Sequence, residues 1–551
     1  MAYDPRNLRH YIEHDFSYFA GFERNVARFA NQPAIIDPVA GRNWSYRELG
    51  AEVGRLAAAF AELGVTRRER VVYQLFNGSE FAFCYLATQR LGAIGVPINY
   101  RLAAGEIAHI LEDSTPRVYI YDTEVAATAL AALQKVPVSH VITVGPGTPP
   151  AGTQEFGTLM AHSQSAAPPL PDDYSTYEET TRLYTSGTTG MPKGVPLPSL
   201  VEVLSAHDVI MHFPLAPADR TLNMTPWFHR GGLYSGGPNP AFYVGGAVVP
   251  MRSFDAATAL DWVDRYGLNF LIGAPTTLEM LAAEQERQPR ALKTLKGVVT
   301  MGAPLDPAAA LRYQRLLTPR IFNGYGTTES FWNTFLRPED LPARAGSAGR
   351  ACTDDDVAVV HVYPDHRAAP DDTVARDGRE PGEVIMRSPK SGFAYVNLPS
   401  LQEEKFYHGW LYPGDIATWD ADGFVTILGR KDDMIVSGGE NVHPVQIEAC
   451  LATHPGVGDS VVVGVPDPRW GERVVAYVIR KDPALGAEEL DAHCRADYNL
   501  ANFKRPRGYR FVDTLPRTAT GKKMHFKVAE WAIADDRAGR FEVPQSAKKG
   551  K

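Results

Sequence analysis

Short apolar runs alternate with helix-period stretches over roughly the first 330 residues, and this alternation restricts the possible folds more than any other feature of the chain. In AEVGRLAAAFAELG, residues 51–64, Val53, Leu56, Phe60 and Leu63 fall at helical spacing, and Gly64 suits the C-terminal stop. VVYQLF, residues 71–76, reads as a strand, and FAFCYLATQRLGAIGVPIN as a buried helix followed by a strand. Strands and helices in alternation favour parallel α/β layers. PGTPPAGTQ and AAPPLPDD are Pro-rich and predict surface loops. Between residues 345 and 430 the pattern becomes short strands and turns, GEVIMRS and DGFVTILG among them, which predicts a small β-rich unit. After Arg430 a third pattern begins: IVSGGENVHP, a helix near 445–453, then SVVVGVPD and RVVAYVIR. It predicts a separate α+β domain of roughly 120 residues, ending in a disordered SAKKGK tail.

The 551 residues carry a formal net charge of −8, with 44% apolar and 22% charged residues. This composition is that of a globular chain, and its mild acidity argues against nucleic acid as the main partner. No run of about 18 apolar residues is present, so no membrane span is expected. The charged start, MAYDPRNLRHYIEHDF, lacks the apolar stretch of a secretory signal. Cys84, Cys352, Cys450 and Cys494 are scattered without a CxxC pair, which predicts buried thiols in a reducing cytoplasm rather than disulfides or zinc.

The sharpest local signal is Tyr184-Thr-Ser-Gly-Thr-Thr-Gly-Met-Pro-Lys-Gly194, after the predicted strand TRLY. A loop of this composition presents backbone N–H groups and hydroxyls to phosphate oxygens, and Lys193 adds charge. A solvated polar loop is the plain alternative. It is not a Walker A loop, since no GxxxxGK[ST] occurs.

The full string resembles the phosphate loop of the adenylate-forming superfamily, which holds acyl-CoA synthetases, peptide-synthetase adenylation domains and beetle luciferases. Five further strings match in family order: Met301-Gly-Ala-Pro-Leu305, Asn323-Gly-Tyr-Gly-Thr-Thr-Glu329, Trp410-Leu-Tyr-Pro-Gly-Asp415, Gly429-Arg-Lys-Asp-Asp433 and Pro516-Arg-Thr-Ala-Thr-Gly-Lys522. GGENVHP and FKRPRGY make the chain similar to 4-chlorobenzoate CoA ligases and related benzoate or medium-chain ligases. The resemblance implies an α/β multi-subdomain N-terminal domain over 1–431, with two α/β subdomains and a small β-barrel-like one. A smaller mobile α+β C-terminal domain over 432–530 and an extension over 531–551 follow. The implied reaction joins a carboxylic acid to coenzyme A at the expense of ATP: acyl-AMP and pyrophosphate form first, then acyl-CoA and AMP.

By this resemblance Thr185, Ser186, Gly187, Thr188, Thr189, Gly190 and Lys193 hold phosphate, with Thr188 in a catalytic role. Gly302, Ala303, Pro304, Asn323, Tyr325, Gly326, Thr327 and Thr328 line the rest of the nucleotide site. Asp415 and Arg430 reach the ribose, and Glu329 is the Mg²⁺ carboxylate. Lys522 is the electrophilic ammonium at the reacting carboxylate and α-phosphate, and His229 lies between the acyl and nucleotide sites. Arg101, Pro468, Arg469, Trp470, Phe503 and Arg505 are the expected coenzyme A contacts, through aromatic stacking and guanidinium–phosphate pairing. Asp208, His229, Arg230, Gly326, Phe331 and Trp332 fall at the acyl pocket. Asp208 and Arg230 either pair with each other, read a polar group on the acid, or form a salt bridge outside the pocket. Phe331 and Trp332 argue against a long chain and favour an aromatic, alicyclic or short substituted acid. Asp432 is the expected hinge that lets one site serve two half-reactions. PLPSLVEV after Lys193 departs from the frequent Ser/Thr-His pair of relatives and bears on the acid rather than on the nucleotide. The alternatives are a non-CoA acceptor, as in peptide synthetases or luciferases, a medium-chain fatty acyl-CoA synthetase, and a non-catalytic nucleotide-binding scaffold, which would be expected to lose Lys522 or Glu329. A homodimer is expected by analogy only.

Overall fold

The computed structural model describes residues 4–163, 166–186, 191–303, 305–363, 365–437, 440–467, 470–497, 500, 504–517, 521 and 523–545. The chain divides into two compact units, Met1–Val357 with Met386–Leu411, and Ala358–Ile385 with Tyr412–Lys551. Asp432 lies inside the second unit, and the SAKKGK tail lies outside the described residues.

The first unit contains two large sheets. One has the strand order Gln154–Glu155, His140–Val144, Val118–Asp122, Arg70–Gln74, Ile94–Pro97, Glu179–Ser186, Pro192–Pro198, and is parallel except for the last pair, an antiparallel hairpin. The other runs Arg350–Ala351, Phe331–Leu336, Ile321–Thr327, Gly297–Met301, Phe270–Gly273, Arg220–Asn223, Ala247–Val248, Pro33–Asp37, Arg42–Ser45. It is parallel in its centre and antiparallel at both edges. Parallel strands need covered faces, and their near-continuous apolar runs meet that need: Ile94–Pro97 and Phe270–Gly273 are buried at every position. The helix predicted from residues 51–64 spans Tyr46–Glu62, opened by a reciprocal Ser45/Glu48 capping box and followed by Gly64 at φ 81°. The buried helix in FAFCYLATQR is Ser79–Arg90, and the strand after it is Ile94–Pro97.

In the second unit Gly382 and Glu383 pair antiparallel with Ala417 and Ile416, and Asp415–Trp419 pairs with Val425–Arg430, as the turn-rich sequence predicts. The rest is an α+β sheet built on the long hairpin Val457–Asp467/Gly471–Arg480. Alternation assigns its two faces. Val461, Val463, Val465, Val475 and Tyr477 pack with Val528 and Ala532 of the helix His525–Arg537. Val462, Val474, Ala476 and Val478 pack with Ile447 and Leu451 of the helix Pro444–Ala452 and with Leu490 of Ala487–Ala496. All four cysteines are free and buried. No described helix is long and apolar enough to cross a membrane.

Candidate active site

The described flanks of the phosphate-loop string belong to the hairpin Glu179–Ser186/Pro192–Pro198. Thr185 pairs with Lys193 and Tyr184 with Gly194, so the flanks of the string are fixed by ladder hydrogen bonds. Gly187, Thr188, Thr189 and Gly190 lie outside the described residues, as does the side chain of Ser186. The hairpin is tied to a second motif near its loop end. Val396 donates its backbone N–H to the Gly194 carbonyl at 2.9 Å, and the adjoining Tyr395 donates its hydroxyl to Glu329 Oε1 at 2.6 Å. One carboxylate steered in this way, completed by phosphate oxygens and water, is a donor set suited to Mg²⁺.

The adenine-side and second nucleotide motifs sit at the C-terminal ends of neighbouring parallel strands, where Met301 pairs with Gly324 and Thr300 with Asn323. Loops beyond such strand ends are the usual ligand sites of open α/β sheets. Gly302 adopts φ 86° and, with Ala303, is exposed; Pro304 lies outside the described residues. The hairpin Ile321–Thr327/Phe331–Leu336 then folds back with an irregular register at Tyr325/Gly326. A Cβ on Gly326 would stand 1.5 Å from the Phe331 carbonyl oxygen, so only glycine fits there. Phe331 holds φ 62°, unusual for an aromatic residue, and stacks on Trp332 with centroids 4.9 Å apart. Thr327 shares a hydrogen bond with Ser330, and Ser330 donates to Asn333.

His229 immediately precedes the short helix Arg230–Tyr234. Asn223, at the end of its strand, donates to the carbonyls of Gly231, Gly232 and Ser235, while the Asn77 side-chain oxygen accepts from Trp227 N–H at 2.8 Å. These two asparagines hold the Pro-Trp-Phe-His-Arg-Gly-Gly turn. A lane of rings runs from His229 to Phe228 (4.3 Å), Tyr100 (5.3 Å) and Phe76 (4.1 Å), and the Arg101 guanidinium lies 5.5 Å from the Tyr100 ring. The structure thus brings Arg101 and His229 to one aromatic wall, His229 at its end and Arg101 beside Tyr100 within it.

Of the alternatives for Asp208 and Arg230, their pairing with each other does not form. Asp208 lies 3.1 Å from Lys390 Nζ and 3.3 Å from His212 Nε2, ion-pair distances without aligned hydrogen bonds. Lys390 also donates to Asp355 at 2.8 Å, and Asn333 donates to the same Asp355 oxygen at 3.2 Å. Burial raises the Asp355 carboxyl to about 6 although Lys390 opposes it. Burial also disfavours the Lys390 ammonium, but Asp208, Cys352 and Asp355 outweigh it and hold its pKa above the ordinary value. Asp208, His212 and Cys352 lie close enough for a metal, yet Lys390 already supplies the cation. Thr327, Ser330, Asn333, Asp355, Lys390 and Asp208 therefore form one polar chain from the nucleotide hairpin to the helix Ser199–His212. On that helix Glu202, Ser205, Asp208 and His212 recur at helical spacing and are all buried. A polar face buried in this way was the missed signal for Glu202, Ser205 and the partners Lys390 and Asp355. Glu202 accepts from Tyr85 at 2.7 Å and Asn239 at 3.0 Å; burial raises its pKa, with the Tyr85 hydrogen bond opposing.

In the second unit Asp415 and Arg430 face each other across paired strands, 2.8 Å apart. Trp470 is 46% exposed at a turn where its N–H bonds Asp467. Arg505, expected at a coenzyme A phosphate, is instead buried and ion-paired with Asp491. Pro468, Arg469, Phe503 and Lys522 lie outside the described residues. The next residues in sequence are held by ion pairs. Lys523 docks on Glu448 (2.9 Å), the Ser460 carbonyl (2.6 Å) and Asp459 (3.1 Å), and His525 bonds Glu448 at 2.7 Å. Arg517 pairs across to Lys523, ion-pairs with Asp459 and donates to the Gly521 carbonyl.

A parallel α/β core with its nucleotide motifs at strand ends defines an adenylate-forming enzyme. Residues 22–395 match the AMP-binding enzyme family and 446–522 the AMP-binding enzyme C-terminal domain, and the chain belongs to that family, in its acyl-CoA synthetase branch. It is 34% identical over 487 residues to an indoleacetate–CoA ligase of Aromatoleum aromaticum, covering 87% of this chain and 92% of that one. It is 32% identical over 498 residues to a 4-chlorobenzoate–CoA ligase of an Arthrobacter species, covering 89% and 90%. Among solved structures, an anthranilate CoA ligase in complex with anthranoyl-AMP superposes with a TM-score of 0.84 at 27% identity, covering 95% of this chain and 98% of that one.

Proposed function

We propose that this chain is an AMP-forming acid–CoA ligase that activates an aromatic or short substituted acid. The observation that carries the reading is the tie between the phosphate hairpin and Glu329 through Val396 and Tyr395, beside the Gly326–Phe331 turn. A carboxylate oxygen attacks the α-phosphorus of ATP and pyrophosphate leaves. The thiol of coenzyme A then attacks the acyl carbon and AMP leaves. The first step demands screening of two anions, the role we assign to Lys193 and Lys522. Magnesium, held by Glu329, would neutralise phosphate charge when bound. Asp415 and Arg430 are assigned to the ribose, His229 and the Tyr100–Phe228 wall to the thiol path, and Asp432 to the hinge. Trp332, stacked on Phe331 and 4.7 Å from Phe335, supports a short, flat acyl pocket. Residence in the cytoplasm and a homodimeric state belong to the same proposal. Pyrophosphate release across a panel of carboxylic acids, followed by addition of coenzyme A to the best acid, tests it. Formation of acyl-AMP with no thioester on adding coenzyme A rejects the ligase assignment in favour of another acceptor.

A further inference from the structure

Arg230 is an unusual cation. It is 5% exposed, and its guanidinium is clasped between the rings of Tyr234, 4.5 Å away, and Phe331, 5.4 Å away. Its Nη2 donates to Ser205 Oγ at 3.0 Å and to the Lys390 carbonyl at 3.1 Å, both neutral acceptors. Its Nε and Nη1 are buried and have no hydrogen-bond acceptor among the described residues, and no described carboxylate forms an ion pair with it. Of the nearby acids, Asp208 faces Lys390 and His212, and Glu202 accepts from Tyr85 and Asn239 through Oε2; Glu202 and Glu329 reach Arg230 through their charge alone, without an ion pair or hydrogen bond to it. A buried guanidinium with two idle donors is costly unless an anion meets it, and the flanking ring faces offset only part of that cost. The residue follows His229 directly, and its ring partner Phe331 belongs to the turn that only glycine at 326 permits. The idle donors therefore lie in the region assigned to the acid, beside the Phe331 ring.

We infer that the acid activated here carries a second oxyanion, remote from its reacting carboxylate, and that Arg230 binds it through Nε and Nη1. This inference rests on the acyl-site reading above and narrows it: a carboxylate or a sulfonate supplies the shared chemistry. The test is pyrophosphate release by the full chain with matched acids, benzoate against terephthalate and 4-sulfobenzoate, and pentanoate against glutarate. The expected kcat/KM favours an oxyanion-bearing member by 100-fold or more, and the terephthalate and sulfobenzoate arms separate carboxylate from sulfonate. In Arg230→Met that ratio collapses by at least 30-fold while ATP affinity, read by calorimetry, stays within twofold; Arg230→Lys retains part of the preference. A wild-type preference for the monoanionic acids, with the ratio unmoved in Arg230→Met, overturns the assignment of Arg230 and leaves the ligase reading standing. Equal loss on every acid in both variants with ATP binding intact shows a structural arginine and also overturns it. Absence of pyrophosphate from every acid overturns both readings. Should neither variant fold, the wild-type ratio alone decides.

Discussion

Replacing Glu448 by glutamine isolates the framework that carries Lys522. Glu448 is buried on the helix Pro444–Ala452; its Oε1 accepts from Val462 N–H and His525, and its Oε2 from Lys523. Burial alone would raise its carboxyl, but the His525 hydrogen bond and the Lys523 ammonium hold it down from 4.5 to about 2. A drop of that size corresponds to roughly 3 kcal/mol of folded-state preference for the charged form. Glutamine keeps the shape and loses the charge, while Asp459 still faces Lys523, so the expected cost is about 2–3 kcal/mol. Hydrogen exchange of the full chain reads this as a loss of roughly 30- to 150-fold in protection over residues 444–452 and 525–537. Adenylation should slow by at least tenfold with ATP affinity little changed, because Lys523 directly follows the residue assigned the reacting ammonium. The pH dependence has a definite sign. A depressed carboxyl contributes stability above pH 4.5 that is lost as pH falls toward 2, and this acid limb should flatten in Glu448→Gln. His525 is the reverse case. Burial disfavours its charged ring, Glu448 more than offsets that, and its contribution is present below pH 6.5 and lost as pH rises through the raised folded value. Unchanged protection together with a wild-type adenylation rate would refute this account of the framework.

Lys390→Met strands Asp208 and Asp355 without their cation and should cost about 3–5 kcal/mol in denaturant titration, with partial recovery on adding Asp208→Leu. Gly326→Ala places a methyl against the Phe331 carbonyl, so nucleotide affinity and the melting temperature should both fall, as a thermal shift with and without ATP reads directly. Lys522→Ala should abolish acyl-AMP formation while sparing thioester formation from supplied acyl-AMP; quenched-flow assays of the two half-reactions check this. Asp432→Pro should spare acyl-AMP formation and impair transfer to coenzyme A in the same assays, and equal small losses in both steps would count against a hinge there.

The fold class was legible because parallel α/β layers impose a repeating apolar rhythm, and the family was legible because its motifs are local strings in a fixed order. The acyl pocket was not. Asp208 and Arg230 were visible as polar residues where apolar ones are common, but their partners come from far along the chain, Lys390 for one and Ser205 with the Lys390 carbonyl for the other. Arg505 shows the opposite error. Its local string suggested a solvent-facing phosphate contact, yet Asp491 on a separate helix draws it into the interior. Pairings between distant charged residues leave no periodic trace, whereas the polar face of Ser199–His212 does.

The left-handed backbone at Phe331 has a consequence for how this turn can change. An aromatic side chain at φ 62° carries local strain of about 1–3 kcal/mol. Glycine there would relieve that strain while removing the ring beside Arg230. Part of the packing lost with the ring is thus returned by the main chain, so that, on the acyl-site assignment proposed above, a bulkier acid is admitted here with less harm to folding than at a residue of ordinary backbone.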